Sequence, residues 1–406
     1  MPLGKDIVSS TATGRDRISA LPDDTIHHVL GFLSADQAVR TSLLAREWRH
    51  HWKYLHSLRI TLPSPSVLET VEELNSLMRG LLLDQCAHLN VCSISDDYGD
   101  WELDDEEVDR WIRHAVCARH ARVLTVNLGC QVSGEPLISR YLLILKLYNV
   151  VVEDTILDFK SCTSLEYLEI AYCEIYATKI SSQSVKRMRI IESYFLRMDL
   201  RCRISAPNTV SLLLDDVRGT NPLFQSMPLL QTAFLRLDYH HASACNRSDY
   251  LASCGMCEEC TAKGGCMLLG CLSTAAHLEL IAPMAKFTDL RCCPTFRKLK
   301  TLMLDDWCMS ADLRALICIL QHCPILEKLT VQLYVGYEHL MVSEESSHAV
   351  MQFSTIPKHL CVVEIKYLEV DERVNKILKI FGTFDIKVNI NQARSTCSSY
   401  NFLFQF

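Results

Sequence analysis

A six-residue pattern, Leu-x-x-Leu-x-Leu with other apolar residues allowed, recurs twelve times along the chain. The copies are LHSLRI from Leu55, CAHLNV from Cys86, ARVLTV from Ala121, LLILKL from Leu142, LEYLEI from Leu165, VKRMRI from Val185, VSLLLD from Val210, LQTAFL from Leu230, AAHLEL from Ala275, LKTLML from Leu299, LEKLTV from Leu326 and LCVVEI from Leu360. Through most of the middle they start 20 to 25 residues apart. Alternation over the last positions of each copy is a strand signal, because side chains two apart share a face. One such unit cannot bury its own apolar face. Units recurring at this period stack, pair their strands in parallel and share one core. An ordinary α/β domain with a parallel sheet is the alternative, but it has no reason to repeat the hexapeptide at a similar step.

The pattern and period resemble those of leucine-rich repeats. The resemblance implies an α/β solenoid, a horseshoe over residues 56–340, with helical or irregular segments on its convex side. Asn149 after LLILKL and Cys173 after LEYLEI are candidates for the family's buried Asn/Cys ladder; other copies lack one. Within each copy the apolar residues point inward, so the intervening ones line the concave surface. These are Lys146, Tyr148, Tyr167, Glu169, Arg187, Arg189, Phe234, Arg236, Glu279, Met303, Asp305, Lys328 and Gln332. Mixed charge with aromatic side chains suits a protein partner.

Three segments interrupt the repeat. Around residues 240–271 the step lengthens and cysteines crowd: Cys245, Cys254, Cys257, Cys260, Cys266 and Cys271. Cys-x-x-Cys-x-x-Cys spacing lets thiolates converge on one ion, so Cys254, Cys257, Cys260 and Cys266 are candidate zinc ligands. The spacing is tighter than the usual two separated pairs. The cysteine-proline signature of an iron–sulfur site is missing, and a reduced loop without metal is the third reading. No other cofactor is expected. Earlier in the chain, DDEEVDRWIRHAV reads as a helix whose first turn attracts Asp104 to Glu107 and whose buried face is Val108, Trp111, Ile112 and Ala115. At the end, LCVVEIKYLEVDERVNKILKIFGTFDIKVNI reads strand, helix, strand, with Val374, Ile377, Leu378 and Phe381 on one helical face and Ile386, Val388 and Ile390 alternating. It resembles the FBD-like module that closes many plant proteins carrying such repeats, and is expected over 341–406 as a cap on the last strand edge.

The head of the chain has a different rhythm. In LPDDTIHHVLGFLSADQAVRTSLLAREWRHHW, Pro22 suits a first helical turn and Asp23 and Asp24 its positive end. Ile26, Val29, Leu30 and Leu33 share a face. Ser34 with Gln37 reads as a capping box for a second helix through Val39. A third is expected from near Ser42, carrying Leu44, Trp48 and Trp52 at four-residue steps. So small a unit has little interior, so its apolar residues are shared with another protein or with the next domain. Leu21-Pro22, the Ile26/Val29/Leu30/Leu33 face, Val39 and the run Leu44-x-Arg46-x-Trp48 make residues 17–55 similar to the F-box of plant proteins. The family usually has Ser or Cys at the place of Ala45, and often a basic residue at that of Glu47. The resemblance implies docking onto the Skp-type adaptor of a cullin-based SCF ubiquitin ligase. It would use Leu21, Pro22, Ile26, Val29, Leu30, Leu33, Val39, Leu44, Trp48 and Trp52, as helices commonly use apolar faces in grooves.

A net charge of -7 argues against nucleic acid as a partner. Residues 1–16 read as a disordered lead without an apolar signal core, and no run of membrane-spanning length follows. An intracellular place, cytoplasm or nucleus, is therefore expected, with the twenty cysteines mostly reduced and buried as small apolar groups. No nucleophile is placed beside a base and no phosphate-binding glycine loop occurs, so the chain is read as a non-catalytic subunit that binds a target for ubiquitination. The alternatives are a hormone-like small-molecule receptor using the concave surface, which would need an enclosed pocket, and a scaffold independent of the adaptor.

Overall fold

A computed structural model of the chain describes residues 21–236, 267–281, 293–305, 313–333 and 356–392, apart from isolated positions within those spans. The expected disordered lead and most of the cysteine-rich insertion lie outside the described residues.

The head begins as expected. Pro22 caps helix α1 (Asp23–Leu30), its carbonyl accepting from the Thr25 and Ile26 amides. Helix α2 (Ala35–Arg40) starts on the Ser34 box, where the Ser34 N–H donates to Gln37 Oε1 at 3.3 Å. The third helix differs from expectation. It is a 3-10 turn, Thr41–Leu43, then a break, then a 3-10 helix, Glu47–Tyr54. The tighter winding, three residues per turn, takes Leu44, Trp48 and Trp52 out of the single stripe that four-residue steps imply in an α-helix.

The twelve repeat copies and one further strand after them form one parallel sheet of thirteen strands in strict chain order. They are β1 (Ser57–Thr61), β2 (Val91–Ser95), β3 (Val123–Asn127), β4 (Ile144–Tyr148), β5 (Tyr167–Ala171), β6 (Arg187–Ile191), β7 (Ser211–Asp215), β8 (Thr232–Arg236), β9 (His277–Ile281), β10 (Thr301–Asp305), β11 (Lys328–Leu333), β12 (Val362–Tyr367) and β13 (Lys387–Gln392). The expected solenoid is therefore present. In ten of the twelve copies the residues at the pattern's apolar places are the buried ones, such as Leu165, Leu168 and Ile170.

Two frames slip. In the copy from Cys86 the inward residues are Leu89, Cys92 and Ile94, and Val91 joins the opposite row. In the copy from Val210 they are Thr209, Leu212 and Leu214, which turns Leu213 and Asp215 to the other face. A slip by an odd number reverses every side chain, and the continuous apolar run Leu212-Leu213-Leu214 hides the frame.

The convex side also differs from expectation in the middle repeats. In place of the expected helical or irregular segments, two narrow parallel ladders run there. One joins Gln131–Val132, Val151–Val152, Glu174–Ile175, Tyr194–Phe195 and Arg218–Gly219; the other joins Ile156–Asp158, Lys179–Ser181, Arg203–Ser205 and Leu223–Phe224. Each coil turns its corner on the residue just after its main strand. Asn149, Tyr172, Glu192 and Asp216 all take left-handed φ, from 42° to 58°. The following residue then points inward: Val150, Cys173, Ser193 and Val217 are all buried. The ladder position in the β4 repeat is therefore Val150, not Asn149. Asn149 tolerates the left-handed turn, and its Nδ2 donates sideways to Asn127 Oδ1 at 2.7 Å. Cys173 does occupy the ladder, its thiol donating to the Ala171 carbonyl at 3.2 Å and its N–H to Ser193 Oγ at 3.2 Å.

Helices appear where the connections are longer: α3 (Val71–Leu83), α4 (Asp105–Arg113), α5 (Met267–Leu272) and α6 (Arg314–Gln321). Helix α4 is the acidic segment. Asp104 caps it by accepting from the Glu106 N–H at 3.1 Å, and Val108, Trp111, Ile112 and Ala115 are buried. The terminal strand-helix-strand is β12, α7 (Glu372–Phe381) and β13. Val374, Ile377 and Phe381 are buried and Leu378 packs on the core. Strand β13 pairs in parallel with β12, so the module adds a strand to the sheet, and among the described residues β13 is the last strand. Ile386 and Val388 pack on the core, whereas Ile390 is exposed. Among the described residues no helix is long and apolar enough to cross a membrane.

Candidate functional site

The head divides its apolar residues between three destinations. Ile26, Leu30, Ala38, Trp48 and Leu55 bury one another, with Leu33 and Ala45 packed against them. Ala35 joins the solenoid core, Val39 and Trp52 lean on it, and the Arg59 guanidinium of β1 donates to the Gly31 carbonyl. What remains faces solvent: Leu21, Val29, Phe32, Leu43, Leu44 and Tyr54 are exposed, Leu43 by 85% and Leu44 by 75%. A unit this small does not leave such leucines bare for its own stability, and contiguous exposed apolar residues mark interaction sites. Of the ten residues the sequence nominates, Leu21, Pro22, Val29 and Leu44 are exposed, Leu33, Val39 and Trp52 are half-buried, and Ile26, Leu30 and Trp48 face inward. Phe32 and Leu43 were missed because the stripes were read only through Ile26, Val29, Leu30 and Leu33 and through Leu44, Trp48 and Trp52. Their own exposure is the only signal, and it is a tertiary one. On the same unit His27 Nε2 lies 3.0 Å from His51 Nδ1, and burial together with the His51 charge holds the His27 imidazole below its ordinary value.

All thirteen expected concave residues do share one face of the long sheet. Three rows of partners run across it. Through Lys146 and Glu169 the second row continues to Arg189, Leu213, Phe234, Glu279, Met303, Thr330 and Glu364. The face is not uniform. Over β4 to β6, Glu169 accepts from both the Tyr148 and Tyr167 hydroxyls, and the Arg189 side chain stands 3.7 Å from it. Burial opposes ionisation of Glu169, but those hydroxyls and the Arg189 and Lys146 charges hold its carboxyl below the ordinary value. Lys146 and Arg187 each sit 5.7 Å from the Tyr167 ring. Further along, Asp215 pairs with Arg236, and Lys328 Nζ stands 3.0 Å from Glu364. Between them Leu213, Phe234 and Ile281 form a separate buried apolar cluster on this polar side of the sheet. Burial raises the carboxyls of Asp215 and Glu279 above their ordinary values.

Accessibility sorts the nominated residues. Arg187 and Lys328 are exposed; Lys146, Tyr148, Arg189, Arg236 and Met303 are half-buried; Tyr167, Glu169, Phe234, Glu279, Asp305 and Gln332 are buried. Leu213 and Ile281 were missed, the first because of the slipped frame.

Cys254, Cys257, Cys260 and Cys266, the expected metal ligands, lie outside the described residues. Of the described cysteines all but Cys117 and Cys361 are buried, in keeping with a packing role. Burial pushes several thiols, such as Cys92, Cys202 and Cys323, up to about 12. Cys318 goes the other way. The hydrogen-bonded Cys293 thiol draws it down to about 7, against burial and with help from His322. Cys293, Cys318 and His322 bring three ligand atoms within 4.8 Å of one another.

Known proteins resemble this chain in its head and, more weakly, over longer stretches. Residues 18–60 match the family model of the F-box domain. A putative F-box/LRR-repeat protein of Arabidopsis thaliana is 45% identical over 58 residues, 14% of this chain and 13% of the relative. An Arabidopsis F-box protein is 25% identical over 268 residues, 55% of this chain and 53% of the relative. An F-box/FBD/LRR-repeat protein of the same plant is 24% identical over 370 residues, 82% of this chain and 80% of the relative. The chain thus spans about half or less of the own length of the first two relatives and 80% of that of the third.

Proposed function

We propose that this chain, an F-box protein built on a leucine-rich-repeat solenoid, is the substrate-recognition subunit of a cullin-based ubiquitin ligase. The head docks a Skp-type adaptor and, through it, a cullin. The concave face holds a target protein. The chain makes and breaks no bond itself; it supplies proximity, holding target lysines near the transferred ubiquitin. The observation that carries the reading is the bare apolar rim of the head. Leu43, Leu44 and Phe32, with Leu21, Pro22 and Val29, stand clear of both the head's own core and its joint to the solenoid. Leu33, half-buried, borders them. Ile26, Leu30 and Trp48 belong to the head's own core. On the concave side Arg187 is an accessible contact residue, whereas Arg189 is tied to Glu169 and Tyr167 and acts mainly to hold them.

The test uses the full chain in cells. Leu43→Asp with Leu44→Asp is expected to cut co-purification of the adaptor about tenfold or more and leave target capture intact. Arg187→Glu is expected to do the reverse. Undiminished adaptor capture by the well-folded leucine variant overturns the docking assignment.

A further inference from the structure

We infer that Cys293, Cys318 and His322 form a zinc site on the convex side of the solenoid. Cys318 and His322 lie one helical turn apart at the end of α6, so both project to the same side. Cys293 comes from the segment that leads into β10, one repeat earlier. That segment is already fastened to the same helix end, because the Phe296 N–H donates to the His322 carbonyl at 2.8 Å. The three donor atoms lie within 4.8 Å of one another, and Cys318 Sγ is 3.9 Å from His322 Nδ1. In a tetrahedral zinc site, Zn–S of about 2.3 Å and Zn–N of about 2.0–2.1 Å separate the donors by roughly 3.5–3.8 Å. The donors therefore need only a small inward adjustment.

The donor set itself selects the ion. Two thiolates and one imidazole suit zinc, whereas the hard cations calcium and magnesium take oxygen ligands. Both cysteines are buried and His322 is half-buried, so an ion here keeps one open side, and a water or an incoming donor completes the tetrahedron. Nδ1 now lies 2.8 Å from the Cys318 carbonyl. On loading, the neutral ring carries its proton on Nε2, Nδ1 exchanges the carbonyl for the metal, and the two thiols release two protons to solvent. The ion then ties the lead into β10 to the helix that precedes β11, which clamps two successive repeats. In a solenoid, where each repeat is stabilised by its neighbours, such a clamp strengthens one interface directly.

The three donors are other residues than the cysteines around position 257, and the test separates the two sets. Full-length protein purified without chelators is assayed for bound zinc, then stripped and titrated with cobalt, whose thiolate charge-transfer absorption reports on sulfur ligation. Cys318→Ser with His322→Gln is expected to lose about one metal per chain and that absorption. Cys257→Ser with Cys260→Ser is expected to keep both. Should the first variant fold poorly, His322→Gln alone, at a half-buried position, is expected to weaken cobalt binding about tenfold or more. Metal content and cobalt absorption unchanged by the Cys318 and His322 substitutions overturn the inference. So does metal-free protein that takes up no cobalt, or a purified protein in which Cys293 and Cys318 are joined as a disulfide.

Discussion

The Tyr148 hydroxyl donates to the Glu169 carboxylate across the β4–β5 strand pair, and Tyr167 donates to the other oxygen from Glu169's own strand. A carboxylate on the open side of a sheet is thereby held ionised although it is buried.

Removing one donor should be felt. A hydrogen bond to a charged group contributes roughly 1.5–3 kcal/mol, discounted here to about 1 kcal/mol because Tyr148 is half-exposed. Tyr148→Phe should lower the urea midpoint accordingly and raise the Glu169 carboxyl toward its ordinary value. With the folded value below the unfolded one, this contribution is full above the ordinary glutamate range and is lost as pH falls through that range toward the lower folded value. A double-mutant cycle with Glu169→Gln is the measurement; strictly additive effects would refute the coupling.

Two glycines should respond in opposite directions to alanine. Gly219 has φ +81°, and a Cβ there would meet the Phe195 carbonyl oxygen at 2.2 Å. Gly219→Ala should lose at least about 1–3 kcal/mol. Gly80 lies inside α3 with nothing within 4 Å of its Cβ position. Gly80→Ala should gain about 0.5–1 kcal/mol. Thermal melting of both variants gives the two signs, and equal signs would contradict this account of the backbone.

In the head, inward and outward residues should separate by readout. Trp48 is in the small core, so Trp48→Ala should cost about 3 kcal/mol or more and speed proteolysis within residues 21–55. Leu44, three-quarters exposed, should tolerate Ala within about 0.5 kcal/mol. A stability loss at Leu44 as large as that at Trp48 would argue that the leucine is a core residue.

The head should also weaken in mild acid. Burial and the His51 charge hold the His27 imidazole below its ordinary value, outweighing Asp23 and Asp24, with His56 adding to the depression. The unfolded chain then binds the proton more readily. Stability is full above the ordinary histidine range and falls as pH drops through it toward the folded value. Hydrogen exchange of α1 amides should speed up between about pH 7.5 and about pH 5.5, after correction for intrinsic rates, and less so in His27→Gln. An equal acceleration in that variant would rule His27 out.

Much of the architecture was legible because it is periodic. A hexapeptide recurring at a near-constant step can bury itself only by stacking, so LEYLEI and LEKLTV announce their strands and their inward residues without reference to anything distant. The same holds for α4, where Asp104 and the Val108/Trp111/Ile112 stripe are local signals. Tertiary context decided the rest. Leu213 and Phe234 meet only because β7 and β8 lie side by side, and a one-residue frame in Leu212-Leu213-Leu214 has no local marker. Asn149 reads as a ladder residue until the left-handed corner shows that Val150 is the one turned inward. In the head, sequence identifies which residues are apolar, but it does not say which of them the head's own core and the solenoid will consume. Leu43 and Leu44 remain exposed because Ile26, Leu30 and Trp48 already fill that core and Ala35, Val39 and Trp52 lie at the joint. Cys293 and His322 come together across a whole repeat, a separation that no local spacing encodes. Periodic burial is a property of neighbouring residues along the chain, whereas a binding surface or a ligand cluster is what the packing of distant segments leaves over or brings together.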